Sequence, residues 1–301
     1  MIDTHCHLQF NAYKNDRDEV IKRCQEKGVV LNTVGTQKDT SRAAVGLAEK
    51  YPFIYASIGL HPIHLFSTHV DEEESKFLSR EEDFDYEYYK NLGKNPKVIA
   101  IGECGLDLYR LPPGKSKEEI LAKQRLTFKA QYDLAQELGL PMVIHVRDAH
   151  EEMVELLRSL VIPTEVEESL SSGLRDPSAT LGMTKQKVSG TVHCYTGNWQ
   201  FAQKYLNLGL HLGFTGVITF PPKKSDPQIQ LSLLEVVERC PLAKMLIETD
   251  APYLAPNLYR GKRCEPWMVE EVAKKIAEVK GISPAEVINA TAKNAKSLFH
   301  I

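Results

Sequence analysis

The sequence predicts an α/β protein of the (β/α)8 TIM-barrel class. Three observations lead there. Eight short apolar segments recur along the chain, each followed by a stretch with helical spacing, and alternation of that kind builds a parallel sheet. Most segments are continuous apolar runs, as in Val98-Ile99-Ala100-Ile101 and Met142-Val143-Ile144, the pattern of strands covered on both faces. The chain has 301 residues, and barrels routinely run to about 250 residues as one unit, so residues 1–301 are expected to form a single domain.

The strand segments lie near residues 2–7, 29–35, 53–60, 97–103, 141–146, 188–194, 210–218 and 244–250. After the fourth, Ser116 and Glu119 form an S-x-x-E capping box before a helix whose Leu121, Phe128, Ala135 and Leu138 share a face. Gly139 and Pro141 end it. Between the fifth helix, ending near Leu160, and the strand near Val188, residues 163–187 are far longer than the usual αβ loop of about two to six residues. They read as an inserted loop at the N-terminal rim, remote from the chemistry, because barrel active sites form at the other rim. A functional lid is the competing reading. Ser283-Pro284-Ala285-Glu286 then opens a last helix, with Val287, Asn294 and Leu298 in one stripe, expected to pack on the barrel as an extra C-terminal element.

A composition of 43% hydrophobic and 26% charged residues supplies a large core and excludes a collagenous or broadly disordered chain. The formal charge of −3 offers no broad cationic field for gripping a long nucleic acid, so an anionic substrate must be met locally. Local cations are Lys223 with Lys224, and Arg260, Lys262 and Arg263; scattered solvated charge is the plainer account of them. No apolar run has the length of a membrane span, and MIDTHCHL carries no leader pattern. The six cysteines (Cys6, Cys24, Cys104, Cys194, Cys240, Cys264) are scattered without a C-x-x-C pair, which suits reduced thiols in the cytoplasm. A monomer is compatible with all of this.

Ligand-type side chains stand at five strand ends. His5 and His7 close the first segment, and a period of two turns both toward the barrel interior, leaving Cys6 outward. Glu103 in IGECGLD, His145 in VIHVRDA, His193 in TVHCYTG and Asp250 in LIETDAPYL hold the same position on four further strands. Catalytic residues of this fold come from the carboxyl ends of several strands; satisfied polar groups capping the barrel are the alternative. Six nitrogen and oxygen donors exceed what one tetrahedral ion takes, whereas two ions sharing a carboxylate use them all. Imidazoles favour Zn, Mn, Fe or Co over Mg, and the carboxylates accept any of these. Cys104 and Cys194 flank ligands but alternate outward and are not counted among them.

The strings THCHL, GLHPIH, IGECGLDLYR, IHVRDA, HCYTG and IETDAPYLAP, in that order and across nearly the whole chain, resemble the TatD family of metal-dependent deoxyribonucleases in the amidohydrolase superfamily. The residues 163–187 depart from the family pattern without touching a ligand position. The resemblance implies that His5, His7, Glu103 and Asp250 hold one ion and Glu103, His145 and His193 the other, with Glu103 bridging. It also implies that Asp250 takes a proton from a bridging water whose hydroxide attacks phosphorus. His61, after the third strand, is similar to a family histidine near the substrate and would act on a phosphate oxygen; a surface loop histidine is its plainer reading, and His64 is a weaker candidate.

Further substrate contacts follow from position. Arg147, two residues beyond His145, should face the barrel mouth, either to grip a phosphate with two N–H groups or to pair with Asp148 or Glu103. Tyr195, two beyond His193, would stack on a base or simply pack. Arg260 and the neighbouring cations fall in loops after the seventh and eighth strands, where barrels often bind phosphate, and so small a footprint suits chain ends or single-stranded DNA. The expected function is a 3′-5′ exodeoxyribonuclease. The alternatives are an ester or amide hydrolase of the same architecture, such as a D-aminoacyl-tRNA deacylase, and a non-catalytic interaction protein stabilised by metal.

Overall fold

A computed structural model describes residues 1–67, 81–109, 111–161 and 188–301. Eight strands run β1 Ile2–Cys6, β2 Val30–Val34, β3 Ile54–Ile58, β4 Val98–Asp107, β5 Met142–Arg147, β6 Gly190–Val192, β7 His211–Phe214 and β8 Met245–Ile247. Each pairs in parallel with the next, in sequence order. The sheet closes where Cys6 bridges Ala251 and the Asp250 amide donates to His5 O (2.8 Å) and the His7 amide to Ala251 O (2.7 Å). An eight-stranded barrel therefore forms, as the segment pattern predicts.

The helices return along the outside: α1 Arg17–Glu26, α2 Lys38–Ala48, α3 Tyr86–Gly93, α4 Lys117–Leu138, α5 His150–Val161, α6 Trp199–Asn207, α7 Gln228–Arg239, α8 Val269–Lys280 and α9 Pro284–Phe299. Both expected capping boxes are present: the Ser116 and Ser283 hydroxyls accept the amides of Glu119 and Glu286, whose carboxylates bond back to the cap. Gly139 ends α4 at φ 65°, a left-handed conformation that glycine adopts without strain.

The main core lies between strands and helices. A second, smaller one fills the barrel's N-terminal end, where Ile2, Ile99, Val143 and Leu246 meet Ala295, Leu298 and Phe299 of α9. The last helix thus seals the end opposite the strand tips, which leaves the C-terminal mouth as the open one. Above this apolar plug the interior turns polar: Thr4 donates to Glu248, and Asn32 bonds to Thr4 O and to Ser57.

Two irregularities aim the tips. Three steps along β1 from Asp3 to Cys6 match two along β2 from Leu31 to Thr33, a bulge that moves the inward face from Ile2 to His5 and His7. Plain alternation through residues 2–7 would not place all three inside. In β4 a like shift falls between Ile101 and Cys104. There Gly102 sits at φ +147°, and a Cβ on it would stand 2.4 Å from Val143 O; only glycine fits. The expected inserted loop at 163–187 lies outside the described residues, but its flanks Val161 and Val188 end α5 and precede β6, at the rim that α9 closes.

Candidate metal centre

The six donors read from the strand ends converge at the mouth. His5 Nε2 and His7 Nε2 are 3.3 Å apart. Glu103 Oε2 lies 3.4 Å from the first and 3.9 Å from the second. Asp250 Oδ1 is 3.6 Å and 3.3 Å from the same two atoms. Donors about 2.1 Å from a common ion at tetrahedral angles stand about 3.4 Å apart, so His5, His7 and Glu103 fit a cation, and Asp250 stands at the same spacing from the two imidazoles. The other oxygen, Glu103 Oε1, is 2.9 Å from both His145 Nδ1 and His193 Nε2. One buried carboxylate therefore faces two donor clusters with its two oxygens.

Tautomers follow from the outer contacts. His7 Nδ1 donates to Val34 O at 2.7 Å, which leaves the Nε2 lone pair aimed into the cluster. His145 Nε2 meets Asp107 Oδ2 at 3.1 Å, and His193 Nδ1 faces Glu248 Oε1 at 3.4 Å, so each ring turns its other nitrogen toward Glu103. Such carboxylate–histidine pairs set ring orientation and raise ligand basicity. Lone pairs and carboxylate oxygens packed this closely repel one another unless positive charge lies among them, and imidazole with carboxylate is the donor set of Zn, Mn, Fe or Co.

The local electrostatics point the same way. Burial opposes charge on every member of the cluster, yet Glu103 is held well below the usual carboxylate range, because His193, His61 and His145 around it outweigh burial. Burial likewise pulls His145 down, but its bonds to Asp107 and Glu103 push it up to about 9. Asp250 is lowered despite burial by its bond to His7 and by the charges of His193 and His5. Asp250 also adopts φ 58° and Cys194 φ 44°, left-handed for residues with a Cβ; strain of that kind collects at functional sites.

A family model described as TatD-related DNase matches residues 2–300. The chain belongs to the TatD family. It is similar to the uncharacterized metal-dependent hydrolase YabD of Bacillus subtilis, 36% identical over 302 residues, with 100% of this chain and 99% of that one covered. The protein named 3′-5′ ssDNA/RNA exonuclease TatD of Salmonella typhimurium is 32% identical over 306 residues, with coverage of 100% and 99%. Among solved structures, the TatD homolog YJJV of Escherichia coli superposes with a TM-score of 0.76 at 26% identity, covering 100% of this chain and 98% of that one. The protein is thus a TatD-family metal-dependent hydrolase on a TIM barrel.

The structure sorts the remaining sequence candidates of this TatD-family chain. His61 is not a surface histidine: it is buried, 3.4 Å from Glu103 Oε1, and its Nδ1 accepts the Ile63 amide, so Nε2 carries a proton toward the centre. His64 is buried beneath it. Arg147 pairs with neither Asp148 nor Glu103; its guanidinium lies 3.6 Å over the Tyr109 ring. Tyr195 requires correction as a base-stacking residue. Its ring is buried beside His150 and Tyr205 and its hydroxyl donates to Asn198 O, which leaves no face for a base. Arg263 is also corrected, since it is committed to Asp16 and Ala12 O and ties the loop after β8 to the start of α1. Arg260, Lys223, Lys224 and Lys262 remain exposed.

Sequence reasoning missed Asp107 and Glu248. Both sit at even spacing from a donor already read in the sequence, Asp107 four residues after Glu103 and Glu248 two before Asp250, in strings already singled out. Ending the fourth strand at 103 hid Asp107, because β4 runs on to that residue. Glu248 is fully buried, accepts the Cys194 amide and the Thr4 hydroxyl, and fits because Gly213 has no Cβ: one there would stand 2.5 Å from its carboxylate.

Proposed function

We propose that this protein is a two-metal phosphodiesterase that removes nucleotides from the 3′ ends of single-stranded nucleic acid in the cytoplasm. The observation that carries the reading is Glu103, one carboxylate whose oxygens face two separate donor clusters. His5, His7, Asp250 and Glu103 would hold one divalent ion, and Glu103, His145 and His193 the other. When bound, such ions supply a water acidic enough to ionise near neutral pH and positive charge beside the phosphoryl oxygens.

The chain's own groups then have distinct tasks. Asp250, kept ionised by its histidine neighbours, takes the proton of the attacking water on its carboxylate. His61 is held neutral by burial and by the nearby His145, and its Nε2–H donates to a non-bridging phosphate oxygen as charge grows there. Asp107 and Glu248 hold His145 and His193 in place. Arg147 and Arg260 meet the strand at the mouth. The exonuclease polarity and the single-stranded substrate extend to this chain what the name of the Salmonella relative says of that protein.

The test is release of mononucleotides from a 3′-labelled and a 5′-labelled single strand by metal-loaded protein. Label should leave the 3′ end first. Chelation should abolish the release, and Asp250→Asn should lower kcat by about a hundredfold or more, the usual contribution of a general base. Turnover of charged tRNA with none of DNA or RNA, or full activity in Asp250→Asn, would overturn the reading.

A further inference from the structure

Two Arg–aromatic pairs stand on opposite sides of the barrel mouth. On the β4–β5 side, Arg147 Cζ lies 3.6 Å from the centre of the Tyr109 ring. On the β7–β8 side, Arg260 Cζ lies 4.7 Å from the centre of the Phe220 ring. In an eight-stranded closed sheet β4 is four strands from β8, so the metal centre lies between the pairs. The first is anchored beside the centre, and the second is tied together across two loops. Arg147 is the ladder partner of Asp107, which holds His145, and the loop that carries Arg260 bonds through the Asn257 amide to Thr219, next to Phe220.

These pairs differ from the other Arg–aromatic contacts among the described residues. There the guanidinium has another polar partner: Arg239 pairs with Glu235, Arg263 with Asp16, and Arg42 with the Tyr88 hydroxyl. No carboxylate among the described residues pairs with Arg147 or Arg260, and both side chains are exposed. A guanidinium laid over a ring keeps its second face and its edge N–H groups available. The edge suits a phosphate and the face suits a flat aromatic ring. Apolar neighbours add to the second choice: Leu111, two residues from Tyr109, is 44% exposed, and Leu258, two from Arg260, is 70% exposed. A phosphate alone has no use for them, whereas a base does.

We propose that Tyr109–Arg147 and Phe220–Arg260 are two base-stacking subsites, one on each side of the metal centre, which take the unpaired bases flanking the bond that is cut. The proposal rests on the nuclease reading above and deepens it. A base inside a duplex has both faces covered by its own neighbours, so such platforms select single strands by exposed base face and not by sequence. Because the two subsites lie on either side of the scissile phosphate, each of the last two nucleotides should contribute separately to kcat/KM.

The experiment compares a single-stranded oligonucleotide with the same strand made abasic at the last position or at the one before it. The metal-loaded protein is assayed unaltered and as Tyr109→Ala, Arg147→Lys, Phe220→Ala and Arg260→Lys. The unaltered protein should lose about tenfold in kcat/KM for each base removed, within the range stacking supplies. Tyr109→Ala and Arg147→Lys should erase the loss at one of the two positions, and Phe220→Ala and Arg260→Lys the loss at the other. The lysine variants keep the charge and the fold but not the flat face, so a defect of packing at Phe220 is separated from a defect of stacking. Equal cleavage of base-bearing and abasic strands by the unaltered protein, or the same base dependence in all four variants, would overturn the subsites while leaving the nuclease intact. No cleavage of any strand by the unaltered protein would overturn the nuclease reading, and the subsites with it.

Discussion

A histidine serves a metal well when its second nitrogen is already occupied by an acceptor, because that contact fixes both the ring's angle and the place of its proton. Asp107 does this for His145 across 3.1 Å, and the bond also helps to lift His145 up to about 9. Asp107→Asn keeps the shape and removes the charge. It should weaken metal binding about 10- to 100-fold, read as the metal concentration at half occupancy, with the far-ultraviolet circular dichroism unchanged. Metal affinity equal to that of the unaltered protein would show that Asp107 does not orient the ring. The six donors were legible in the sequence because each closes one of the apolar segments, even though β4 itself runs past Glu103 to Asp107 and β8 stops before Asp250. Asp107 and Glu248 were not, because their work is defined by the ring each one touches. Tyr195 misled for a related reason: its spacing from His193 aims it at the mouth, but the left-handed turn at Cys194 redirects the chain and buries the ring.

At the level of elements, the eight strands and their order follow from apolar periodicity, and Ser116 and Ser283 announce α4 and α9 by their capping boxes. The bulges in β1 and β4 do not show in the sequence, since an extra residue is defined against the register of the neighbouring strand. Contacts between helices are equally hidden, and His150 is an example. It opens α5, its ring packs against Phe201 and Tyr205 of α6, and its Nδ1 meets the Tyr205 hydroxyl at 3.1 Å. Burial there pulls its pKa down to about 4. The unfolded chain titrates the same group near 6.5, so between those values the unfolded state binds the proton and the folded state does not. Stability should therefore fall as the pH drops from about 6.5 to about 4, by on the order of 3 kcal/mol from this residue. His150→Phe keeps a ring in the α5–α6 contact and removes the titration. The difference in urea midpoint between pH 7 and pH 5 should shrink in the variant; parallel midpoints for the two proteins would show that His150 is not the cause.

Across the whole molecule the charge distribution decides how a strand is held. The net charge is −3, and among the described residues the cations at the mouth are few: Arg147, Arg260, Lys223, Lys224 and Lys262 are exposed, while Arg263 is paired with Asp16. The opposite end is closed by α9 packed on Ile2, Ile99, Val143 and Leu246, which leaves the mouth as the way to the metal centre. A strand end can thus be gripped at the mouth through two or three phosphates, with the metal centre taking one of them. For single strands the logarithm of affinity falls with the logarithm of salt at about −0.7 per phosphate neutralised. Binding of an oligonucleotide to metal-loaded Asp250→Asn, followed by fluorescence anisotropy, should therefore have a slope of about −2 between 50 and 200 mM salt. Lengthening the strand beyond a few nucleotides should leave that slope unchanged, because a net charge of −3 provides no broad cationic field for the added phosphates. A slope steeper than about −5, or one that grows with strand length, would mean that the strand continues over the surface of the barrel, and a hold confined to its end would then be wrong.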